Sequence, residues 1–137
     1  MRVLAIDFGM KRIGFAIGNT LIQTAAPHDP ITRKDSKQTI QHIKKLIDEY
    51  EINRVAMGYP LNMDGTKSKI TEHVENFTRR LEKAVGPEIG IDFVDERLSS
   101  VEAEENLKTH QPDFRKRKKI IDSMSALVIL KRYMEIA

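Results

Sequence analysis

Acidic residues follow or interrupt strongly apolar segments at three places in the 137-residue sequence. Asp7 ends the apolar run 3–6, Asp95 and Glu96 follow the segment "EIGIDFV", and Asp122 lies within "KKIIDSMSALVILKRY". A carboxylate beside an apolar core costs free energy unless a positive group meets it. We therefore expect these acids to share a cation.

The residue types favour a hard divalent cation. Three converging carboxylates repel one another, and each raises the pKa of the others unless a cation neutralises them. The sequence has no cysteine, and its four histidines are scattered without metal-binding spacing. Oxygen ligands favour one or two Mg²⁺ or Mn²⁺ ions. Two such ions, about 3.5–4 Å apart, support hydrolysis of a phosphodiester bond, with the acids acting as ligands.

The first third of the chain is typical of a β-meander. Apolar and alternating segments predict strands over 2–8 and 12–18, joined by a three-residue hairpin link, and a third strand over 20–26. Pro27 and Pro30 are expected to end the third strand in a loop.

The remaining sequence alternates between helical and strand patterns. Asp35 resembles a helix cap, and Gly86-Pro87 ends a helical stripe that begins at Ile70. The predicted elements are a helix over about 36–50, a strand over 54–58, a helix from about Ile70 to Val85, a strand over 88–94 and helices over about 99–109 and 117–135. This order predicts an α/β fold in one domain over 1–137: a mixed five-stranded sheet, with a three-stranded meander followed by two parallel strands, and helices on both faces.

These elements bring the acids to one edge of the sheet. A helical crossover makes the last strand parallel to the first, so both strands present acids at their carboxyl ends. Asp122 is predicted to face the sheet because Ala126 and Ile129 follow it at helical spacing. The second acid stays open at this point: strand parity groups Asp95 with the apolar face and places Glu96 on the opposite side.

Basic and polar residues near these acids are candidates for substrate binding. Lys11 and Arg12 lie in the first turn, and the run 115–119, which includes Arg115, Arg117 and Lys118, precedes the helix that carries Asp122. Such residues bind nucleic acid phosphates, although a basic run is also typical of a solvated surface.

The loop "PLNMDGT" has the same ambiguity. Asn62, Asp64 and Thr66 could contact substrate, and Asp64 is a reserve metal ligand, yet Asn-x-Asp-Gly is also an ordinary turn sequence. Arg97 is expected to pair with whichever of the two neighbouring acids is not a ligand, and is counted with the substrate-binding residues.

Composition adds weaker constraints. The formal net charge of +3 and the pI of about 9.2 permit nucleic acid binding without demonstrating it. No apolar run approaches the roughly 20 residues of a membrane span, and no signal-peptide pattern is visible. We expect a soluble, cytoplasmic protein that does not bind membranes.

Four motifs together resemble one family. The segments "DFGMKRIG", "GYPLNMDGT", "DERLSS" and "IIDSMSALVIL" have the order and spacing of the YqgF/RuvX family, Holliday junction resolvase-like proteins of the ribonuclease H-like fold. The resemblance implies a bacterial nuclease that processes the 5′ end of precursor 16S rRNA, with resolution of four-way DNA junctions as the alternative. It also implies that the metal ligands, and hence the catalytic residues, are Asp7, Glu96 and Asp122.

Some features depart from the family pattern. Met10 stands where the family usually has Thr or Ser, which leaves phosphate contacts in that turn to Lys11, Arg12 and backbone amides. Tyr59 replaces a usual Leu. A non-catalytic RNA-binding factor for ribosome assembly is a further alternative, whereas an actin-like or sugar-kinase fold would need a second half of similar topology. The chain is expected to be a monomer or a homodimer.

Overall fold

The computed structural model describes residues 1–95, Arg97 and 114–136, with side chains over 1–95, 97 and 124–135. The elements are β1 (Arg2–Phe8), β2 (Arg12–Asn19), β3 (Thr24–Thr32), α1 (Ser36–Glu49), β4 (Arg54–Tyr59), α2 (Lys69–Val85), β5 (Gly90–Asp95) and α3 (Phe114–Ile136). The predicted helix over 99–109 lies outside the described residues.

The strands form one five-stranded sheet in the order β3-β2-β1-β4-β5. β1, β2 and β3 pair in antiparallel fashion, and β4 is parallel to both β1 and β5. The predicted meander followed by two parallel strands is therefore confirmed. The carboxyl ends of β1, β4 and β5 lie at one edge of the sheet, as the parallel pairing requires.

Alternation along the central strands produces an apolar core on each face of the sheet. On one face, Leu4, Ile6 and Phe8 pack with apolar residues of α1 and α2. On the other face, Val3 and Ala5 pack with apolar residues of α3. Helices therefore cover both faces, as predicted.

α3 packs closely on its face because the strands beneath it carry small residues. Ala5, Ala16 and Ala56 are fully buried under the helix. A Cβ added at Gly18 would lie 3.0 Å from a methyl group of Leu130. The close approach lets Leu130 become fully buried, which stabilises the fold by roughly 1.5–3 kcal/mol.

The prediction for β3 was wrong. The strand covers Thr24–Thr32 rather than 20–26, and it includes both Pro27 and Pro30. The prolines are tolerated because β3 is an edge strand, where a missing N–H removes no bond from an inner ladder. The turn before β3 ends at Gln23, which has a left-handed φ of 53°.

Local signals at the helix ends were predicted correctly. The Asp35 carboxylate accepts a 2.8 Å hydrogen bond from the backbone N–H of Gln38 and caps α1. α2 ends at Gly86, whose φ of 83° suits glycine. Within the described part of the chain, no helix is both long and apolar enough to cross a bilayer.

Candidate active site

Asp7 lies near the carboxyl end of β1, on the face that α3 covers. It alternates with Val3 and Ala5, which pack against that helix. Its partner on β2 is Gly14. On β4, Met57 pairs with Ile6, so the next residue, Gly58, lies beside Asp7. The half-buried carboxylate is therefore flanked across the sheet by two residues without side chains. Neither of these neighbours therefore contributes a side chain beside Asp7.

Asp95 lies on the opposite face of the sheet. Its partner on β4 is Tyr59, and Tyr59 packs against Phe93 with ring centroids 4.7 Å apart on the α2 side. The Asp95 Oδ2 atom accepts hydrogen bonds from Arg97 Nε at 2.9 Å and Arg97 Nη2 at 2.6 Å. These bonds from Arg97 hold the pKa of the Asp95 carboxyl below its usual range.

This geometry places one of the two candidates for the second acid, Asp95, on the face opposite Asp7. The parity argument for Asp95 assumed that the face of Ile91 and Phe93 carries the site, whereas Asp7 lies on the other face. Arg97 forms an ion pair with Asp95. Glu96 itself lies outside the described residues.

The third acid lies in α3. The structure describes the helix at Asp122 but not that side chain. Ala126 and Ile129, which define the stripe predicted to face the sheet, are both fully buried. Among the side chains that the structure describes, no group of three His, Asp or Glu residues could hold a metal ion, and two of the three proposed ligands are not in that set.

The loop after β4 forms a turn stabilised by its own side chains. Asp64 Oδ1 accepts hydrogen bonds from the Thr66 hydroxyl at 2.6 Å and the Thr66 backbone N–H at 2.9 Å. The Asn62 side-chain amide donates to the Thr66 hydroxyl at 2.9 Å, and Gly65 adopts a φ of 87°. The bonds from Thr66 lower the pKa of Asp64. This geometry supports the interpretation of "NMDGT" as an ordinary turn.

Two arginines connect this loop and α3 to the end of β5. Arg97 Nη1 lies 3.5 Å from the backbone oxygen of Met63. Arg132 Nη1 lies 3.3 Å from the backbone oxygens of both Asp95 and Arg97. Sequence reasoning missed Arg132, although its position one turn after Val128 in a helix predicted to cover the sheet could have indicated it.

The basic candidates occupy two segments. Lys11 is exposed in the β1–β2 turn, and Arg12 is half-buried at the start of β2. Arg115, Arg117 and Lys118 all lie within the first turns of α3. The basic run was predicted to precede this helix, but the helix already begins at Phe114.

A polar network in the amino-terminal halves of β4 and β5 attaches the carboxyl-terminal part of α3 to the sheet. The Tyr133 hydroxyl donates to Asp92 Oδ2 at 2.6 Å, and Arg54 Nη2 donates to the same oxygen at 2.8 Å. The hydrogen bond from Tyr133, and to a smaller extent the hydrogen bond from Arg54, lower the pKa of Asp92. Gly90 makes room for the guanidinium, because a Cβ there would lie 2.6 Å from its central carbon. The sequence signal that could have indicated this network is Asp92, an acid between the apolar residues Ile91 and Phe93.

Comparison with known proteins identifies relatives over nearly the whole chain. A family profile described as "RuvX: Holliday junction resolvase" matches residues 1–136. The chain is 43% identical over 133 residues to a protein from Buchnera aphidicola subsp. Baizongia pistaciae named "Putative pre-16S rRNA nuclease", covering 97% of this chain and 96% of that protein. A protein of the same name from Carboxydothermus hydrogenoformans is 43% identical over 134 residues, with coverage of 98% and 96%.

Solved structures of resolvases have a similar fold. Fowlpox virus resolvase, in complex with Holliday junction DNA, matches with a TM-score of 0.59 at 14% identity, covering 99% of this chain and 98% of that one. T. thermophilus RuvC, in complex with a Holliday junction substrate, also matches with a TM-score of 0.59, at 10% identity and coverage of 99% and 96%.

The sheet order, the helices on both faces and the likeness to these structures define a ribonuclease H-like fold. The family match over residues 1–136, together with relatives at 43% identity, identifies the chain more closely. It belongs to the RuvX family of Holliday junction resolvase-like nucleases.

Proposed function

We propose that this protein is a single-domain, metal-dependent nuclease that processes the 5′ end of precursor 16S rRNA in the cytoplasm. The observation that carries the proposal is the position of Asp7, at the carboxyl end of a central strand and between Gly14 and Gly58 on the face of α3. Ligands of α/β sheets bind beyond the carboxyl ends of parallel strands. The names of the curated relatives supply the substrate.

The metal ligands in this proposal are Asp7, Glu96 and Asp122. Asp7 fits because it is a half-buried oxygen donor with glycines on both sides. The alternation of β5 favours Glu96 over Asp95, because Val94 shares the face of Asp7 and Asp95 does not. For Asp122, the support is the buried stripe that continues through Ala126 in the same helix.

A bound Mg²⁺ or Mn²⁺ pair would activate water and stabilise the leaving oxygen of the phosphodiester bond. The carboxylates hold the metal and do not transfer protons. The turns around Asp7 bring Lys11 and Arg12 to the same edge of the sheet, where they would orient the phosphate backbone. Arg115, Arg117 and Lys118, in the first turns of α3, would add positive charge for the same phosphate backbone.

Two earlier candidates take a different role in the proposal. Asn62 and Arg97 were expected to contact substrate, but Asn62 is hydrogen-bonded within its turn and Arg97 is paired with Asp95. We propose that both residues hold the loop after β4 in its conformation beside the site. In this proposal they affect substrate binding through the loop and not by direct contact. Asp64 is not proposed as a ligand, because Thr66 occupies its Oδ1 atom.

The experiment compares cleavage of a structured 5′ precursor of 16S rRNA by the wild-type protein and by Asp7→Asn, with Mg²⁺, with Mn²⁺ and with EDTA. We expect cleavage only by the wild-type protein and only with a divalent ion. Asp64→Asn serves as the matched control, because it removes a carboxylate that is engaged in a turn. Cleavage by Asp7→Asn at the wild-type rate would refute the metal site.

The family description favours a second candidate, resolution of four-way DNA junctions. A junction substrate in the same assay separates the two candidates. Symmetric cleavage of the junction, with the precursor RNA left intact, would favour the resolvase. RNA binding without any cleavage, unaffected by EDTA, would instead indicate a non-catalytic assembly factor.

A further inference from the structure

Arg33 follows β3 and lies beside the turn that comes directly after β1. Its backbone N–H donates to the backbone oxygen of Lys11 at 2.8 Å. The central carbon of its guanidinium lies 4.5 Å from the centroid of the Phe8 ring, and its Nη1 atom lies 3.8 Å from the Met10 sulphur. Both the backbone and the side chain of Arg33 are therefore held in place.

The surface under the guanidinium is rigid. Phe8 is only 3% exposed, and its ring packs against Phe77 with a centroid separation of 4.7 Å. A guanidinium over an aromatic face is attracted by the negative face of the ring. This contact and the contact of Nη1 with the Met10 sulphur restrain the position of the guanidinium.

No carboxylate among the described residues forms an ion pair with Arg33. The nearest acid in sequence, Asp35, accepts a hydrogen bond from the Gln38 backbone as the cap of α1. A planar guanidinium with unused donors matches two oxygens of a phosphate group. Lys11 and Lys34, both exposed, add positive charge on either side.

Arg33 and Asp7 lie at the same edge of the sheet, although Phe8, which carries the guanidinium, faces α1 and α2 whereas Asp7 faces α3. Phe8 pairs with Ile13 on β2, Ile13 pairs with Ile31 on β3, and Arg33 follows β3 by one residue. Adjacent strands are about 4.7–4.9 Å apart, so two strand spacings, or about 10 Å, separate the end of β3 from the end of β1. A nucleic acid strand bound at Asp7 would therefore reach Arg33 by crossing this edge of the sheet from the α3 side.

We propose that Arg33, seated on Phe8 and flanked by Lys11 and Lys34, binds a backbone phosphate of the RNA strand close to the cleaved bond. The role rests on the proposed nuclease function. A purely structural role is the competing explanation, because an arginine on a phenylalanine also covers apolar surface.

Arg33→Met separates these explanations, because methionine keeps apolar contact with Phe8 and loses the charge. Binding is measured in EDTA to a short single-stranded RNA taken from the 5′ precursor segment, across a range of salt concentrations. We expect Arg33→Met to weaken binding about 10-fold, the usual effect of losing a hydrogen bond to a charged group. The slope of log K against log salt should decrease in magnitude by about 1. The thermal midpoint should stay close to wild type.

Two further variants complete the test. Arg80→Met removes the same charge from an exposed position in the second half of α2, and should change neither the affinity nor the slope. Arg33→Lys should restore the slope but only part of the affinity, because lysine lacks the planar fork. The proposal is overturned if Arg33→Met binds like wild type, if Arg80→Met loses as much affinity, or if Arg33→Lys does not restore the slope.

A cleavage assay with Mg²⁺ distinguishes this proposal from the nuclease proposal. RNA binding that depends on Arg33, in a protein that never cleaves, would refute only the nuclease function. If the wild-type protein cleaves RNA and Arg33→Met binds RNA as tightly as wild type, only the phosphate role is refuted. An effect confined to a four-way DNA junction would overturn the assignment to RNA.

Discussion

At the scale of single residues, the face of the sheet on which an acid lies distinguishes adjacent carboxylates. Asp95 and Glu96 are neighbours in sequence, and strand parity alone could not choose between them without knowing which face Asp7 uses. Both faces of this sheet are apolar, so an apolar face does not by itself indicate the site. The pairing of β1 with β4 and of β4 with β5 places Asp7 and Asp95 on opposite faces.

Substitution of each acid tests this assignment. Glu96→Gln should reduce the cleavage rate by more than about 100-fold. Mutation of a residue that only hydrogen-bonds to a metal ligand already lowers metal affinity or activity about 10–100-fold. Asp95→Asn should keep cleavage within a few-fold of wild type, because the lost contact is the ion pair with Arg97. Single-turnover cleavage rates measure both effects. A large loss in Asp95→Asn with little change in Glu96→Gln would reverse the assignment.

The Asp92 network predicts a pH dependence of stability. The pKa of Asp92 is lowered by Tyr133 and Arg54, so its contribution to stability is present above the unfolded pKa of about 3.9 and is lost as pH falls through the folded pKa. Asp92→Asn should lower the free energy of unfolding by about 1 kcal/mol at pH 7, a modest amount because Asp92 and Arg54 are partly exposed.

The measurement is urea unfolding of wild type and Asp92→Asn at pH 7 and at successively lower pH. The difference between the two proteins should shrink as the pH falls below about 4, because Asp92 then takes up a proton in the unfolded chain before it does so in the folded protein. Asp48→Asn, on the exposed part of α1, is the control and should follow wild type. A difference that stays constant down to pH 2 would contradict the linkage.

At the scale of elements, hydrophobic periodicity predicted most of the sheet and the helices, because one face of each element is buried. It failed at β3, where the proline rule suggested a loop. Whether a strand lies at an edge depends on how distant segments pair, and β3 pairs only with β2. The Arg54–Asp92–Tyr133 network was missed for the same reason, since its members are separated by 38 and 41 positions along the chain.

The close packing of α3 gives a prediction at this scale. A Cβ at Gly18 would lie 2.8 Å from the backbone oxygen of Thr24 and 3.0 Å from side-chain atoms of Leu130 and Met134. Gly18→Ala should therefore destabilise the protein by about 1–3 kcal/mol, as overpacked cores do. It should also lower cleavage, because α3 carries Asp122. Ala26→Ser, at an exposed position of β3, should leave both properties unchanged.

Thermal unfolding and cleavage rates measure the two effects of Gly18→Ala. Wild-type stability together with a wild-type cleavage rate would contradict the close packing of α3 on Gly18. Normal stability combined with reduced cleavage would instead indicate that the helix shifts and carries Asp122 with it.

At the scale of the whole molecule, the exposed apolar side chains bear on oligomeric state. In the described part of the chain, one small group forms near the amino terminus, where Met1 is hydrogen-bonded to Thr20, which is followed by Leu21 and Ile22. The other large exposed apolar residues lie singly in sequence: Met10, Tyr50, Met63 and Phe93. Stable dimers usually bury a contiguous patch of about 800 Å² on each partner. A small group of this kind is less than such a patch, so we expect a monomer.

Oligomeric state also separates the two candidate substrates. Resolution of a four-way junction needs two symmetric cuts and therefore a dimer with twofold symmetry, whereas processing of one RNA end needs a single active site. We expect a monomer in size-exclusion chromatography with light scattering, both alone and with precursor RNA. The cleavage rate should increase in direct proportion to protein concentration. A rate that increases with the square of the concentration, together with a dimer that forms only on the four-way junction, would instead assign the protein to junction resolution.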